Sequence, residues 1–96
     1  MRYFHRTQIS PDAVLQEADR YFPGRAGVAE SGDRHRVYAG SIGRISLRVE
    51  AEGGHYTLIK IETDQLGESE ADKVAKRFLT TVHQHVHESH VARGAY

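Results

Sequence analysis

The clearest pattern in the chain is an alternation of apolar and polar residues between positions 44 and 52. A period of two is typical of a β-strand that buries one face. Weaker alternation predicts strands at residues 2–7, 26–30, 34–39 and 55–63, the last three of them next to glycine-containing turns. The apolar side of the central segment consists of Ile45, Leu47, Val49 and Ala51. Its polar side consists of Arg44, Ser46, Arg48, Glu50 and Glu52.

Two other segments repeat apolar residues at the three- and four-residue spacing of a helix. The first begins at Ser10, which can cap it, and Pro11, which fits the first helical position; it ends before Pro23. The second is predicted from about Ser69 to about Ser89, with Asp72 at the capping-box position. Residues 91–96 show no strong pattern, so we expect the end of the chain to fray.

The apolar residues of the last two strands also predict their register. A two-residue Gly53-Gly54 loop would place Leu47 opposite Lys60 and mix apolar with charged positions. A loop of three or five residues places the apolar residues of both strands opposite one another. We therefore predict an odd loop with a bulge.

These elements predict an α+β fold with the order strand, helix, three or four strands, helix, or β-α-β-β-β-α in its shortest form. Each helix has one apolar stripe that must be covered. Both stripes are covered if the helices pack side by side on one face of a mostly antiparallel sheet of three to five strands, as a two-layer sandwich. A chain of 96 residues suits one hydrophobic core, so we expect residues 1–96 to form a single domain.

Composition and charge exclude several classes of function. The chain contains no cysteine, which rules out disulfides, thiolate metal sites and thiol nucleophiles and favours the cytoplasm. It has neither a signal-peptide pattern nor a membrane-length apolar run. Thirteen basic and thirteen acidic residues balance, and this argues against nucleic-acid binding. The first half of the chain is nonetheless net basic and the second net acidic, a distribution that could aid self-association.

The polar face of the sheet is the first candidate site. Tyr56 and Leu58 are its apolar exceptions among charged residues. Three interpretations of this face are open: a solvated surface, a partner surface and a ligand platform. Arginine and aromatic residues are enriched in protein contacts, which favours a partner surface over a ligand platform. From this face we predict a homodimer, and from its composition a structural or interaction module that self-associates. The candidate interface residues are Arg44, Arg48, Tyr56, Leu58 and Lys60.

The second candidate is a histidine cluster in the last helix. His83 and His87 are one turn apart, and His90 continues the same row. Imidazoles at this spacing can bind a divalent metal, although the glutamate of the zinc-peptidase helix motif is missing. A solvated helix end and a pH-sensitive interface remain alternatives. We expect no cofactor, and adventitious zinc or nickel at most.

The third candidate is a polar groove near the loop before the last helix, with Tyr38, Asp64 and Gln65 as its residues. It would make the chain a small-molecule-binding protein or an enzyme of unknown ligand. Acidic residues crowd this loop and argue against a phosphate site, and a hydrogen-bonded turn is the simpler interpretation of Asp64. No nucleophile or other catalytic motif accompanies the groove, so enzymatic activity is not the expected function.

Overall fold

The computed structural model describes residues 1–53, 56–65, 67 and 69–94, with side chains of the last helix described as far as His83. Within these residues, no helix is long and apolar enough to cross a membrane. The elements follow one another as β1 (Arg2–Thr7), α1 (Pro11–Tyr21), β2 (Gly27–Ser31), β3 (His35–Gly40), β4 (Gly43–Glu52), β5 (Tyr56–Thr63) and α2 (Glu70–Gly94).

The strands form one antiparallel sheet in the order β1-β5-β4-β3-β2. Both helices pack on the same face of this sheet, and the predicted two-layer α+β sandwich is confirmed. The sequence left the position of β1 open. β1 pairs with β5, with Arg2 opposite Glu62 and Thr7 opposite Thr57.

Both helices begin where their capping residues predicted. The Ser10 hydroxyl accepts a hydrogen bond from the Ala13 amide at 3.2 Å, and the Ser69 hydroxyl accepts one from the Asp72 amide, also at 3.2 Å. The predicted end of α2 near Ser89 is wrong, because the helix continues to Gly94. Residues 90–93 contain neither glycine nor proline, so nothing interrupts the helical hydrogen bonds before that glycine.

The register of the β4–β5 hairpin confirms the odd loop. Glu52 lies opposite Tyr56, which leaves three residues between the strands. Leu47 then faces Ile61 and Val49 faces Ile59, so the apolar residues of both strands share one face. The predicted bulge falls on residues 54 and 55, which lie outside the described residues.

Aromatic rings join the two helices to the sheet. The Phe22 ring stacks on Tyr38 of β3 with their centroids 4.3 Å apart, and it contacts Phe78 of α2 at 5.1 Å. Among the described residues, the core therefore uses one face of the sheet, and no helix packs on the other. Its buried apolar residues are Val14, Leu15, Ala18, Phe22, Ala26, Tyr38, Ile45, Leu47, Val49, Ile59, Ile61, Ala71, Val74, Ala75, Phe78 and Val82.

Candidate functional site

The sheet face opposite the helices, which we call the open face, contains all five candidate interface residues. Arg44 and Arg48 alternate along β4 with the buried Ile45, Leu47 and Val49. Tyr56, Leu58 and Lys60 alternate along β5 in the same way. The register aligns them with residues of the neighbouring strands. The open face therefore also includes Arg2, Phe4, Arg6, His35, Val37, Ala39, Ser46, Glu50, Glu52 and Glu62.

An apolar patch, formed by Phe4, Leu58 and Tyr56, crosses the open face from β1 to β5. Phe4 is 64% exposed and Tyr56 is 44% exposed, whereas Leu58 is partly covered. Phe4 lies opposite Lys60 and diagonally across from Leu58, which lies opposite Arg6. Exposed aromatic residues on a flat sheet are typical of contact surfaces. The sequence had indicated Tyr56 and Leu58 but missed Phe4, because the partner of β1 was not predicted.

Ion pairs lie around this apolar patch, and they neutralise most of the charge of the surrounding side chains. Arg2 and Glu62 approach to 3.1 Å, Arg6 and Glu52 to 2.8 Å, and Lys60 and Glu50 to 2.9 Å. The hydrogen bond from Arg6 to Glu52 also raises the pKa of the Arg6 guanidinium. These pairs are exposed, and such pairs contribute little to the stability of a monomer.

Arg48 occupies a different environment at the centre of the open face. It lies directly opposite His35 on β3 and opposite Lys60 on β5, so three basic residues stand side by side. His35 contacts Glu30 at 3.0 Å and Lys60 contacts Glu50, whereas Arg48 forms no ion pair among the described residues. Arg48 and Lys60 carry like charges opposite one another on neighbouring strands, and such an arrangement is destabilising. An acidic group brought to this point would relieve the repulsion.

A shallow cavity of about 560 Å³ lies beside Arg48. Its floor includes Val37, which is only 7% exposed although it faces away from the helices. Basic and acidic groups both reach its edge, so it is suited to a polar or zwitterionic surface rather than to an apolar ligand. The lining residues are Glu30, His35, Arg36, Val37, Ser46, Leu47, Arg48, Lys60 and Glu62.

The predicted polar groove is not assembled, because Tyr38 lies on the helix side of the sheet. Its side chain is fully buried, and its hydroxyl donates to Asp19 of α1 at 3.3 Å. Arg36, two residues earlier, donates to the same carboxylate from its Nε at 2.9 Å. Burial raises the pKa of the Tyr38 phenol, and the nearby charge of Asp19 adds to this effect. Tyr38 is thus a core residue that anchors α1.

Asp64 and Gln65 lie together, in the turn that follows β5. The Asp64 carboxylate accepts hydrogen bonds from the Arg44 amide at 2.9 Å and from Gln65 Nε2 at 3.0 Å. The Arg44 amide is the main reason that the pKa of Asp64 is lowered, and Gln65 contributes further. Both side chains pack against Gly43, whose φ of 121° is rarely adopted by other residues. This geometry supports the interpretation of Asp64 as a turn residue.

A buried carboxylate lies at the start of α2. The Asp72 side chain is completely buried, accepts a hydrogen bond from the Tyr3 hydroxyl and pairs with Lys76 at 3.2 Å. Its hydrogen bond to Asp72 raises the pKa of the Tyr3 phenol, and a separate hydrogen bond from Lys76 to Asp72 raises the pKa of Lys76. The sequence had given Asp72 only a capping role. These contacts tie β1 to α2.

The histidine cluster is partly described. The His83 ring lies 6.2 Å from the ring of His5 on β1, centroid to centroid, with the two planes at 81°. Burial, followed by the charge of His83, lowers the pKa of His5. The side chains of His87 and His90 lie outside the described residues, and no group of three or more metal-binding side chains occurs among those described. The sequence did not indicate His5, which is far from the cluster along the chain.

The described residues thus combine an exposed apolar patch, a balanced set of surface charges and an unpaired central arginine on one face of the sheet. Such a surface can bind another protein surface or a polar ligand. No protein-family model, curated protein or solved structure matches this chain.

Proposed function

We propose that this chain is an interaction module that self-associates, and that two copies pack their open faces against each other as a homodimer. The observation that carries the proposal is the apolar patch, in which Phe4 exposes 64% of its surface. Neither helix can cover this patch, because both pack on the opposite face of the sheet. Burial of exposed aromatic side chains is a main source of free energy in protein association.

The charges of the open face favour a second copy as the partner. In a two-fold symmetric contact, both copies use the same surface. The basic residues of this surface must therefore lie opposite the acidic residues of the same surface on the other copy. Each copy would offer Glu30, Glu50, Glu52 and Glu62 to the basic residues of the other. Arg48 has no ion pair of its own among the described residues, and a glutamate of the second copy would separate it from His35 and Lys60.

The size of the face limits the area that two copies can bury against each other. Five strands about 4.8 Å apart and about 20 Å long span roughly 24 by 20 Å, so two faces bury on the order of 1,000 Å². This area is close to the lower limit of specific interfaces. We therefore expect a dimer that dissociates on dilution rather than an obligate one. The absence of cysteine fits a module of the cytoplasm.

Sedimentation equilibrium over a wide range of protein concentrations tests this proposal. The wild-type chain should approach twice the mass of 10.8 kDa at high concentration, and Phe4→Glu should stay monomeric with an unchanged circular dichroism spectrum. Val28→Glu is the matched control, because Val28 is 54% exposed but lies opposite Tyr38, on the helix side of the sheet. A wild-type chain that is monomeric at every concentration refutes the proposal, as does a dimer that Val28→Glu disrupts and Phe4→Glu does not.

A small polar ligand is a second candidate for the same face, and the cavity beside Arg48 favours it. A volume of about 560 Å³ lies within the range of small-molecule sites, which is roughly 300–1,000 Å³. Arg48 would bind a carboxylate of the ligand, and Ser46 would supply a hydroxyl. A panel of small carboxylates in a thermal-shift assay tests this, since Arg48→Ala should abolish any stabilisation. A panel without effect on the wild-type monomer rejects it.

A further inference from the structure

The two edges of the sheet differ in regularity. At one edge, β2 is five residues long and its register shifts between Val28 and Glu30, as in a β-bulge. Bulges and short strands hinder the addition of a further strand. At the other edge, β1 pairs with β5 residue by residue from Arg2 to Thr7 without a shift. The regular outer edge of β1 is therefore the better template for another strand.

The backbone hydrogen bonds between β1 and β5 show which groups of β1 point outwards. Met1 and Thr63 exchange two backbone hydrogen bonds, at 2.9 and 3.0 Å, so they form a hydrogen-bonded pair. Such pairs alternate with non-hydrogen-bonded pairs along an antiparallel ladder. Arg2, Phe4 and Arg6 occupy the non-hydrogen-bonded positions, so their N–H and C=O groups point away from β5. No strand pairs with these groups among the described residues.

The side chains along this outer edge are basic. β1 contains Arg2 and Arg6, both largely exposed, and no acidic residue. On the helix side, the Lys76 Nζ atom lies 5.4 Å from the centroid of the Tyr3 ring. Arg2 and Arg6 contact their glutamates through Nε, and a guanidinium has further N–H donors. Acidic side chains on an incoming strand would complement this edge.

We propose that an extended acidic peptide of another protein adds to the outer edge of β1 as a sixth strand. An apolar side chain of the peptide would lie beside Phe4, and an acidic side chain beside each of Arg2 and Arg6. The motif is therefore acidic-x-apolar-x-acidic, with any residue at x. Because the added strand extends the sheet in its own plane, this inference goes beyond the open-face dimer and does not depend on it.

A second copy of this chain fits the same edge poorly. Antiparallel pairing of two β1 strands along their whole length would place Phe4 opposite Phe4, and Arg2 of each copy opposite Arg6 of the other. Like charges directly opposite one another destabilise a sheet. Since β1 has no acidic residue to separate them, its edge favours an acidic strand from a different protein.

Fluorescence anisotropy with a labelled acetyl-Thr-Glu-Thr-Ile-Thr-Glu-Thr-amide peptide tests the proposal. We expect saturable binding that weakens as salt is added, and much weaker binding of the same peptide with lysine in place of glutamate. Arg6→Pro removes the guanidinium and an outward N–H, and should weaken binding about tenfold. Ser31→Pro is the matched control, because Ser31 lies beside the hydrogen-bonded pair of Gly32 and His35 and has its N–H on the outer edge of β2. It should leave binding unchanged.

A charge swap and amide hydrogen exchange keep the test decisive if proline unfolds the chain. Arg2→Glu combined with Arg6→Glu should lose the glutamate peptide and bind the lysine peptide. In the wild-type chain, the glutamate peptide should slow exchange at the outward amides of Phe4 and Arg6. Exchange at Tyr3 and His5, whose amides already bond to β5, should change little.

Three results would overturn the proposal. The first is a glutamate peptide that does not bind the wild-type chain. The second is binding that the charge swap leaves unchanged, or that slows exchange only at amides outside β1, which places the peptide elsewhere. The third is exchange at Phe4 and Arg6 that slows with protein concentration alone, which assigns the edge to a second copy. The mass of the chain without peptide is measured separately, so the open-face dimer and this proposal can fail independently.

Discussion

Replacement of Gly43 by alanine should destabilise the fold, because it combines a strained backbone conformation with close contacts to two side chains. Its φ is 121°, and a Cβ atom at this position would lie 2.8 Å from Asp64 Oδ1 and 2.8 Å from Gln65 Cγ. Backbone strain of this kind costs about 1–3 kcal/mol, and loss of the hydrogen bond from Arg44 to Asp64 adds about 1 kcal/mol. We therefore expect Gly43→Ala to lower the free energy of unfolding by about 2–4 kcal/mol.

Two other glycines separate the contributions to this loss. Gly24 has a φ of 91° but no atom within 4 Å of an added Cβ, so Gly24→Ala should cost about 1 kcal/mol through strain alone. Gly53 has neither a positive φ nor a close neighbour, and Gly53→Ala should be neutral or stabilising by about 0.5 kcal/mol. Each kcal/mol corresponds to about 4–8 °C in Tm for a domain of this size.

Urea unfolding of the three variants, measured at one protein concentration, gives these values directly. Asp64→Ala should lower the free energy of unfolding less in the Gly43→Ala variant than in the wild-type chain, because the variant has already lost the hydrogen bond from Arg44 to Asp64. A Gly43→Ala variant as stable as Gly24→Ala would refute the reasoning. It would mean that Asp64 and Gln65 move aside freely and do not form a fixed turn.

Three further changes test the sheet and the core. Arg48→Gln should stabilise the monomer by a few tenths of a kcal/mol, measured by urea unfolding at low concentration, and should weaken the dimer, measured by sedimentation. A less stable monomer would contradict this expectation. The raised pKa of Tyr38 keeps its phenol protonated in the folded chain. The free energy of unfolding should therefore fall as pH rises above 10.0, the pKa of the phenol in the unfolded chain, and it should fall less steeply in Tyr38→Phe. Equal pH slopes between pH 8 and 11 would count against this. Phe22→Ala should cost about 3–5 kcal/mol in urea unfolding, and a loss below about 1 kcal/mol would rule out its central place in the core.

The sequence predicted the β4–β5 hairpin well, since strict alternation makes only one register compatible with a buried face. The polar side of β4 and β5 was correctly assigned for the same reason. β3 was harder to interpret, because Val37 and Tyr38 are adjacent apolar residues and either could face the core. The structure turns Tyr38 towards α1, where Asp19 accepts hydrogen bonds from both Tyr38 and Arg36. A contact of this kind depends on where the helix packs and leaves no local signal.

The position of β1 could not be predicted, because both edges of a four-stranded meander can accept another antiparallel strand. The choice of β5 depends on side chains brought together only in the fold. Tyr3 donates to Asp72, and Arg6 pairs with Glu52 across the neighbouring strands. This placement moved Phe4 onto the open face and His5 beneath α2. The two features missing from the sequence interpretation therefore share one cause.

Pairing of the first strand with the last also determines when the chain can fold. Arg2 has no partner strand until Glu62 has been synthesised, and α2, which covers β1, follows later still. Closing such a long loop costs more conformational entropy than closing the short β3–β4 and β4–β5 hairpins. We expect the meander to form first and β1 to dock at the end. During synthesis, β1 and its exposed phenylalanine therefore stay unpaired until β5 has left the ribosome, and an unpaired strand of this kind favours binding by a chaperone.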